Sequence, residues 1–169
     1  MAGASLGGMP RVYLETSFIS ACVTSRQDLG SRYRKEASLA WWRFQSRRHS
    51  LSVSAEVVRE LSSPRYPARE RALEFIAGIP LLALDVEVQG LARILIREKV
   101  MPGPVAGDAI HVAVACWHEV AYVLSWNVKH LANPRKVRHL ETICLRLGLV
   151  TPRILTPDML WEEDEEADA

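Results

Sequence analysis

Short apolar runs alternate with longer stretches of helical period along most of this chain. That alternation predicts an α/β domain built on a central, mostly parallel, twisted sheet with helices on both faces. The apolar runs at residues 12–14, 51–53, 81–84, 122–124 and 153–155 predict five strands. Residues 32–48 predict a long helix, with Leu39, Trp42 and Phe44 on an apolar side and Arg32, Arg34, Lys35, Arg43, Arg47 and Arg48 on a basic one. Thr16 or Ser17 is placed to cap a helix after the first strand, and Ser54 one after the second, because hydroxyl oxygens accept the orphan amides of a first turn. Pro67 suits the start of the next helix and Gly78 its end. Asp85 should cap a helix running to residue 99, and the break at Pro102, Gly103 and Pro104 precedes another that opens near Asp108. A further helix over residues 135–147 should stop at Gly148, and Thr156, Pro157 and Asp158 fit the start of a short last one. Trp41 and Trp42 are helical neighbours and cannot share a face, so at least one is expected in the core.

Length adds one bound to this picture: 169 residues suit a single domain with one core. Residues 1–10 read as a flexible leader without the basic start of a secretion signal. Residues 11–160 read as the domain, and residues 161–169 as an acidic disordered tail. No apolar run approaches the roughly 20 residues that span a bilayer, so no membrane role is expected. Cys22, Cys116 and Cys144 are scattered within apolar helical patterns, which favours buried free thiols in a reducing cytoplasm over a disulfide or zinc site. The formal net charge of +1 conceals an asymmetry. Six of the 20 acids fall between Glu162 and Asp168, leaving 21 bases against 14 acids in the body. A basic body attracts polyanions.

The candidate chemistry lies where strands end. Glu15, Thr16 and Ser17 follow the first strand; Ser125, Trp126 and Asn127 follow the fourth. In open α/β sheets ligands bind just past the carboxyl ends of strands, at the point where strand order reverses. Asp108 opens the helix leading into the fourth strand, and Glu60 lies on the helix after the second. If the first and fourth strands are neighbours, these four can converge. Three carboxylates and an amide are all oxygen donors, the set that hard cations such as Mg²⁺ and Mn²⁺ prefer. A cation would also relieve the repulsion among crowded carboxylates. Each residue has a plainer role open to it: Glu15 and Asp108 as helix-start acids, Asn127 in a turn, Glu60 in a surface pair with Glu56 competing for its position. His111, one turn after Asp108, is expected to be packed or hydrogen-bonded. Gly-rich phosphate loops and Gly-x-Ser-x-Gly elbows are absent from the sequence, which removes nucleotide triphosphatase and serine-hydrolase readings.

Residues 12–17, the stretch from Ser54 to Glu60 and Leu61, the run Gly107, Asp108, Ala109, Ile110, His111, and Ser125, Trp126, Asn127 together resemble the four acidic motifs of PIN-domain ribonucleases. Residues 126–133 and the Trp41, Trp42 pair also resemble a VapC-like branch of toxin–antitoxin proteins, and the likeness runs over about residues 11–160. It implies a three-layer α/β/α PIN-like fold and Mg²⁺- or Mn²⁺-dependent hydrolysis of single-stranded RNA. Carried over by position, Glu15, Glu60 and Asp108 are the acidic metal ligands and catalytic groups, with Asn127 at the fourth acidic position. Thr16 and Ser17 would support the site, and Lys129 and His130 would contact phosphate. Most family members have aspartate where Glu15 stands, and many where Asn127 stands; the amide removes one charge from the site. The resemblance further implies a homodimer, a small antitoxin as partner and a cytoplasmic location. The alternative is a degenerate PIN module that binds RNA or a protein without cutting.

Overall fold

The computed structural model describes residues 8–164, and within them a five-stranded parallel sheet is surrounded by eight α-helices. In chain order these are β1 (Arg11–Leu14), α1 (Thr16–Val23), α2 (Leu29–Phe44), β2 (Ser50–Ser54), α3 (Ala55–Leu61), α4 (Arg69–Phe75), β3 (Leu81–Leu82), α5 (Val86–Arg97), α6 (Asp108–Trp117), β4 (Tyr122–Leu124), α7 (Val128–Leu131), α8 (Pro134–Leu147) and β5 (Arg153–Leu155). Strand order across the sheet is β3-β2-β1-β4-β5, with every pair parallel. β1 is therefore central, with Tyr13 opposite Ser52 on one side and Val123 on the other.

Successive strand residues point to opposite faces, so the full burial of Val12, Tyr13 and Leu14 means that both faces of the sheet are covered. Helices α1 to α4 pack on one another, as do α5 and α6. Cys116 of α6 and Cys144 of α8 bring their sulfurs to 3.7 Å, and all three cysteines are buried free thiols. Among the described residues no helix is long and apolar enough to cross a membrane.

The local signals explain most element ends. Asp85 accepts the Val88 amide at 3.0 Å to start α5, Asn133 accepts the Lys136 amide at 3.1 Å to start α8, and Gly148 ends α8 at φ 69°. Four expectations are corrected. Neither Thr16 nor Ser17 caps α1: Glu15 does, accepting the Ser17 amide. The basic helix begins at Leu29, capped by Asp28, and gives way at Gln45 to a 3-10 turn over Ser46–Arg48. Ser54 stands at the N-cap of α3, but its hydroxyl bonds the Tyr13 phenol at 2.8 Å in place of a first-turn amide. Finally, Thr156 opens only a turn: its carbonyl accepts from both Met159 and Leu160, and residues 161–164 have no regular secondary structure.

Of the leader, residues 1–7 lie outside the described residues, as do residues 165–169 of the tail. Glu162 pairs with Gln45 through two hydrogen bonds of 3.0 Å, and Asp164 forms an ion pair with Arg48. Trp41 is fully buried and donates to the Leu160 carbonyl at 2.7 Å, while Trp42 packs its ring on Phe75.

Candidate active site

Strand order reverses between β1 and β4, and the chain leaves both strands at the same edge of the sheet. The Glu15 amide donates to the Leu124 carbonyl at 3.1 Å, so the residues after the two strands start side by side. Glu15 is nearly fully buried, at 4% exposure, and its carboxylate is heavily used. It accepts from the Ser17 amide at 3.0 Å, from the Ser17 hydroxyl and from the Ser125 hydroxyl at 2.7 Å. Ser17 in turn accepts the Trp126 amide, and Ser125 the Asn127 amide at 2.9 Å. The Asn127 side-chain amide reaches the Asp108 carboxylate at 3.4 Å. Glu15, Asn127 and Asp108 thus belong to one hydrogen-bond chain, with two serines as links.

Glu60 joins from the other side. Its carboxylate accepts from the Thr16 hydroxyl at 2.9 Å and from Nε2 of His111. His111 is 1% exposed; its Nδ1 meets the Tyr13 phenol at 2.7 Å, and its Nε2 lies 3.9 Å from Glu15. Burial alone would push the histidine pKa down, but the hydrogen bond to Glu60 and the charges of Glu15, Glu60 and Glu56 outweigh it and raise the value. The same contact acts on Glu60: burial works to raise its pKa, and His111 with Thr16 brings the net value below the ordinary one. The two shifts describe a single ion pair, and both favour its charged form.

Glu56, the competitor of Glu60, is occupied elsewhere. It pairs with Arg59 and accepts the Gly107 amide at 2.6 Å. That bond holds the entry to α6, where Gly107 sits at φ 55° and ψ −128°, a conformation that strains any residue with a Cβ. Lys129 and His130 are exposed on α7.

A groove of about 490 Å³ opens beside the carboxylates. Glu15 and Glu60 line one part of it, and Arg26, Arg34, Tyr66 and Trp126 other parts; Asp108, Asn127, Lys129 and His130 do not line it. Sequence reasoning singled out the four oxygen-bearing positions and expected His111 to be packed or hydrogen-bonded, as it is. It missed that Ser125 links Glu15 to Asn127 and that Tyr13 holds His111, although the serine directly before Trp126 was a signal.

The donor chemistry fits a hard divalent cation, since the carboxylates of Glu15 and Asp108 and the Asn127 carbonyl are all oxygen ligands. Among the described residues no three His, Cys, Asp or Glu side chains form a ready-made metal cluster. Glu60 already has Nε2 of His111 and the Thr16 hydroxyl as partners, and the Asp108 carboxylate faces the Asn127 amide.

No protein-family model and no curated protein matches the sequence. Among solved structures the chain is similar to one from the crystal structure of VapBC2 from Rickettsia felis bound to a DNA fragment from their promoter. The TM-score is 0.55 at 12% identity, covering 86% of this chain and 97% of that one. At such identity the likeness is one of fold, and the α/β architecture described above is shared with a VapBC2 protein.

Proposed function

We propose that this protein is a divalent-metal-dependent endoribonuclease of the VapC-like PIN type, hydrolysing single-stranded RNA phosphodiesters. The observation that carries the reading is the continuous hydrogen-bond chain joining Glu15, Asn127 and Asp108 at the strand-order reversal, flanked by Glu60 and opening beside a groove with guanidinium groups. Glu15 and Asp108 would hold Mg²⁺ or Mn²⁺, with the Asn127 carbonyl as a weaker third donor. Such an ion, when bound, supplies a nucleophilic water at neutral pH and stabilises phosphoryl charge. Glu60, fixed between Thr16 and His111, would orient the attacking water and take its proton. His111 would act by positioning Glu60. The fold likeness to a VapBC2 chain supports a toxin role beside a small antitoxin, with the protein acting in the cytoplasm as a homodimer.

The test is decay of single-stranded RNA across a Mn²⁺ series, with calorimetric titration of Mn²⁺ into the same proteins. Asp108→Asn and Glu15→Gln should lose more rate than the roughly 10- to 100-fold that removing a partner of a metal ligand costs. Glu56→Gln should keep its Mn²⁺ affinity. RNA decay that is equal in wild type and Asp108→Asn would exclude the nuclease. The residue pattern would then be that of a degenerate module that binds without cutting, as the amide at Asn127 in a fourth acidic position allows.

A further inference from the structure

The groove beside the carboxylates has a chemical polarity of its own. At one part lie Glu15 and Glu60; at another, the guanidinium groups of Arg26 and Arg34, both on exposed residues at the end of α1 and the start of α2. Arg26 has only a loose pairing with Asp28 at 3.7 Å, and Arg34 has no carboxylate within ion-pair distance among the described residues. The wall between is hydroxyl-rich, with Ser17 and Ser20 on α1 and Thr24 at its C-cap. Two aromatic residues border it. Trp126 is fixed by its indole N–H to Ser38 at 2.8 Å and by an edge contact with Tyr33. Tyr66 has a buried hydroxyl without a hydrogen-bond partner among the described residues.

Two positive charges, sugar-sized hydroxyl chemistry and a fixed aromatic face are the components that bind single-stranded nucleic acid through backbone attraction and base stacking. A volume of about 490 Å³ has room for one nucleotide. Resting on the nuclease reading, we infer that this groove is the subsite for the nucleotide adjoining the cleaved bond: its outer phosphate lies on Arg34 and Arg26, its base against Trp126, and its inner phosphate toward Glu15 and Glu60. The subsite selects single strands, because a paired base has no free face to offer Trp126. The hydroxyls of Ser20 and Thr24 face the sugar.

The full-length protein in EDTA, which halts metal-dependent cutting, is titrated into a short fluorescein-labelled single-stranded RNA and followed by anisotropy at several salt concentrations. Arg34→Ala should weaken binding and lower the slope of log affinity against log salt by about 0.7, the value for one lost contact to a single-strand phosphate. Trp126→Ala should weaken binding by roughly 5- to 150-fold, the range for one stacked base, while Trp126→Phe retains most of it. Arg47→Ala, in the 3-10 turn and outside the groove, should leave the affinity within about 2-fold of wild type at about 0.15 M salt, where long-range attraction is screened. Equal losses in Arg34→Ala and Arg47→Ala, or no loss in Arg34→Ala, overturn the subsite and leave the nuclease reading standing. Failure of the wild-type protein to bind single-stranded RNA in EDTA also overturns the subsite, while the nuclease reading stands or falls on RNA decay in the Mn²⁺ series.

Discussion

Glu56 carries the clearest energetic consequence at the scale of single residues. Its carboxylate is 7% exposed; it pairs with Arg59 on its own helix and ties α3 to the entry of α6 by accepting the Gly107 amide. The Arg59 hydrogen bond, helped by the Gly107 amide and opposed by burial, lowers its pKa from the ordinary 4.5. A charged hydrogen bond contributes roughly 1.5–3 kcal/mol, but Arg59 is 61% exposed and solvent screens it, so about 1 kcal/mol is expected for Glu56→Gln. Because the folded value lies below the unfolded one, this contribution is present above pH 4.5 and is lost as pH falls through the folded value. Urea unfolding should therefore separate wild type and Glu56→Gln at neutral pH and bring them together in strong acid. A gap that persists unchanged in acid would assign the effect to packing. The case also marks how far the site was legible in the sequence. Residue type and motif order identified Glu15, Glu60, Asp108 and Asn127 as candidates, but Glu56 and Glu60 share a helix and differ only in what other elements bring to them. Thr16 and His111 come to Glu60, and Gly107 to Glu56, from 44 to 51 residues away, which no local pattern encodes; the Arg59 pairing with Glu56, one turn along the same helix, is the local one.

At the scale of elements, α8 shows what local chemistry can specify. Asn133 caps it, Pro134 enters at its first position and Gly148 closes it in the left-handed region. Replacing the cap by Asn133→Ala should cost about 1 kcal/mol, or a fall of roughly 2–4 °C in Tm for a chain of this size. Asn133→Asp keeps an acceptor and should stay near wild type, as a calorimetric melt of the two variants would establish. Equal losses would mean that the side chain matters for something other than the cap. The five strands were legible for a similar reason, since apolar runs too short for helices leave few alternatives. The errors fall where distant contacts decide. The basic pattern placed the start of α2 at residue 32, yet Asp28 caps the helix upstream and it begins at Leu29. Gln45 leaves the helix and engages Glu162, and the chain before it, held by Trp41 at Leu160, makes only a turn where Pro157 suggested a helix. The short α7 over Val128–Leu131 follows from the Asn127 carbonyl accepting both the His130 and Leu131 amides, in a stretch where sequence suggested only a turn.

Across the whole molecule the charges are unevenly placed, and this bears on any polyanion the protein meets. Bases are spread along α2 and the 3-10 turn after it, while the acids Glu162, Glu163, Asp164, Glu165, Glu166 and Asp168 follow one another at the chain end. Within the described residues that acidic stretch already meets the basic one: Asp164 pairs with Arg48, and Glu162 lies 3.6 Å from the buried His49. Carboxylates at Glu162 and Asp164, beside His49 and Arg48, lower the positive potential that a nucleic acid would feel there, and neither residue lines the groove. Removing residues 163–169 deletes five carboxylates and takes the formal net charge from +1 to +6. Longer-range attraction should then rise and be steepest at low ionic strength, because the Debye length is about 30 Å at 0.01 M salt and only about 8 Å near 0.15 M. The truncated protein should elute later than wild type from heparin and bind single-stranded RNA more tightly in dilute buffer, with the two converging as salt increases. Thermal stability should change little, since the only deleted ion pair among the described residues, Arg48 with Asp164, is exposed. Binding that is unchanged at low salt would mean that the tail does not shield the basic face. A large fall in Tm would instead make the tail a part of the fold.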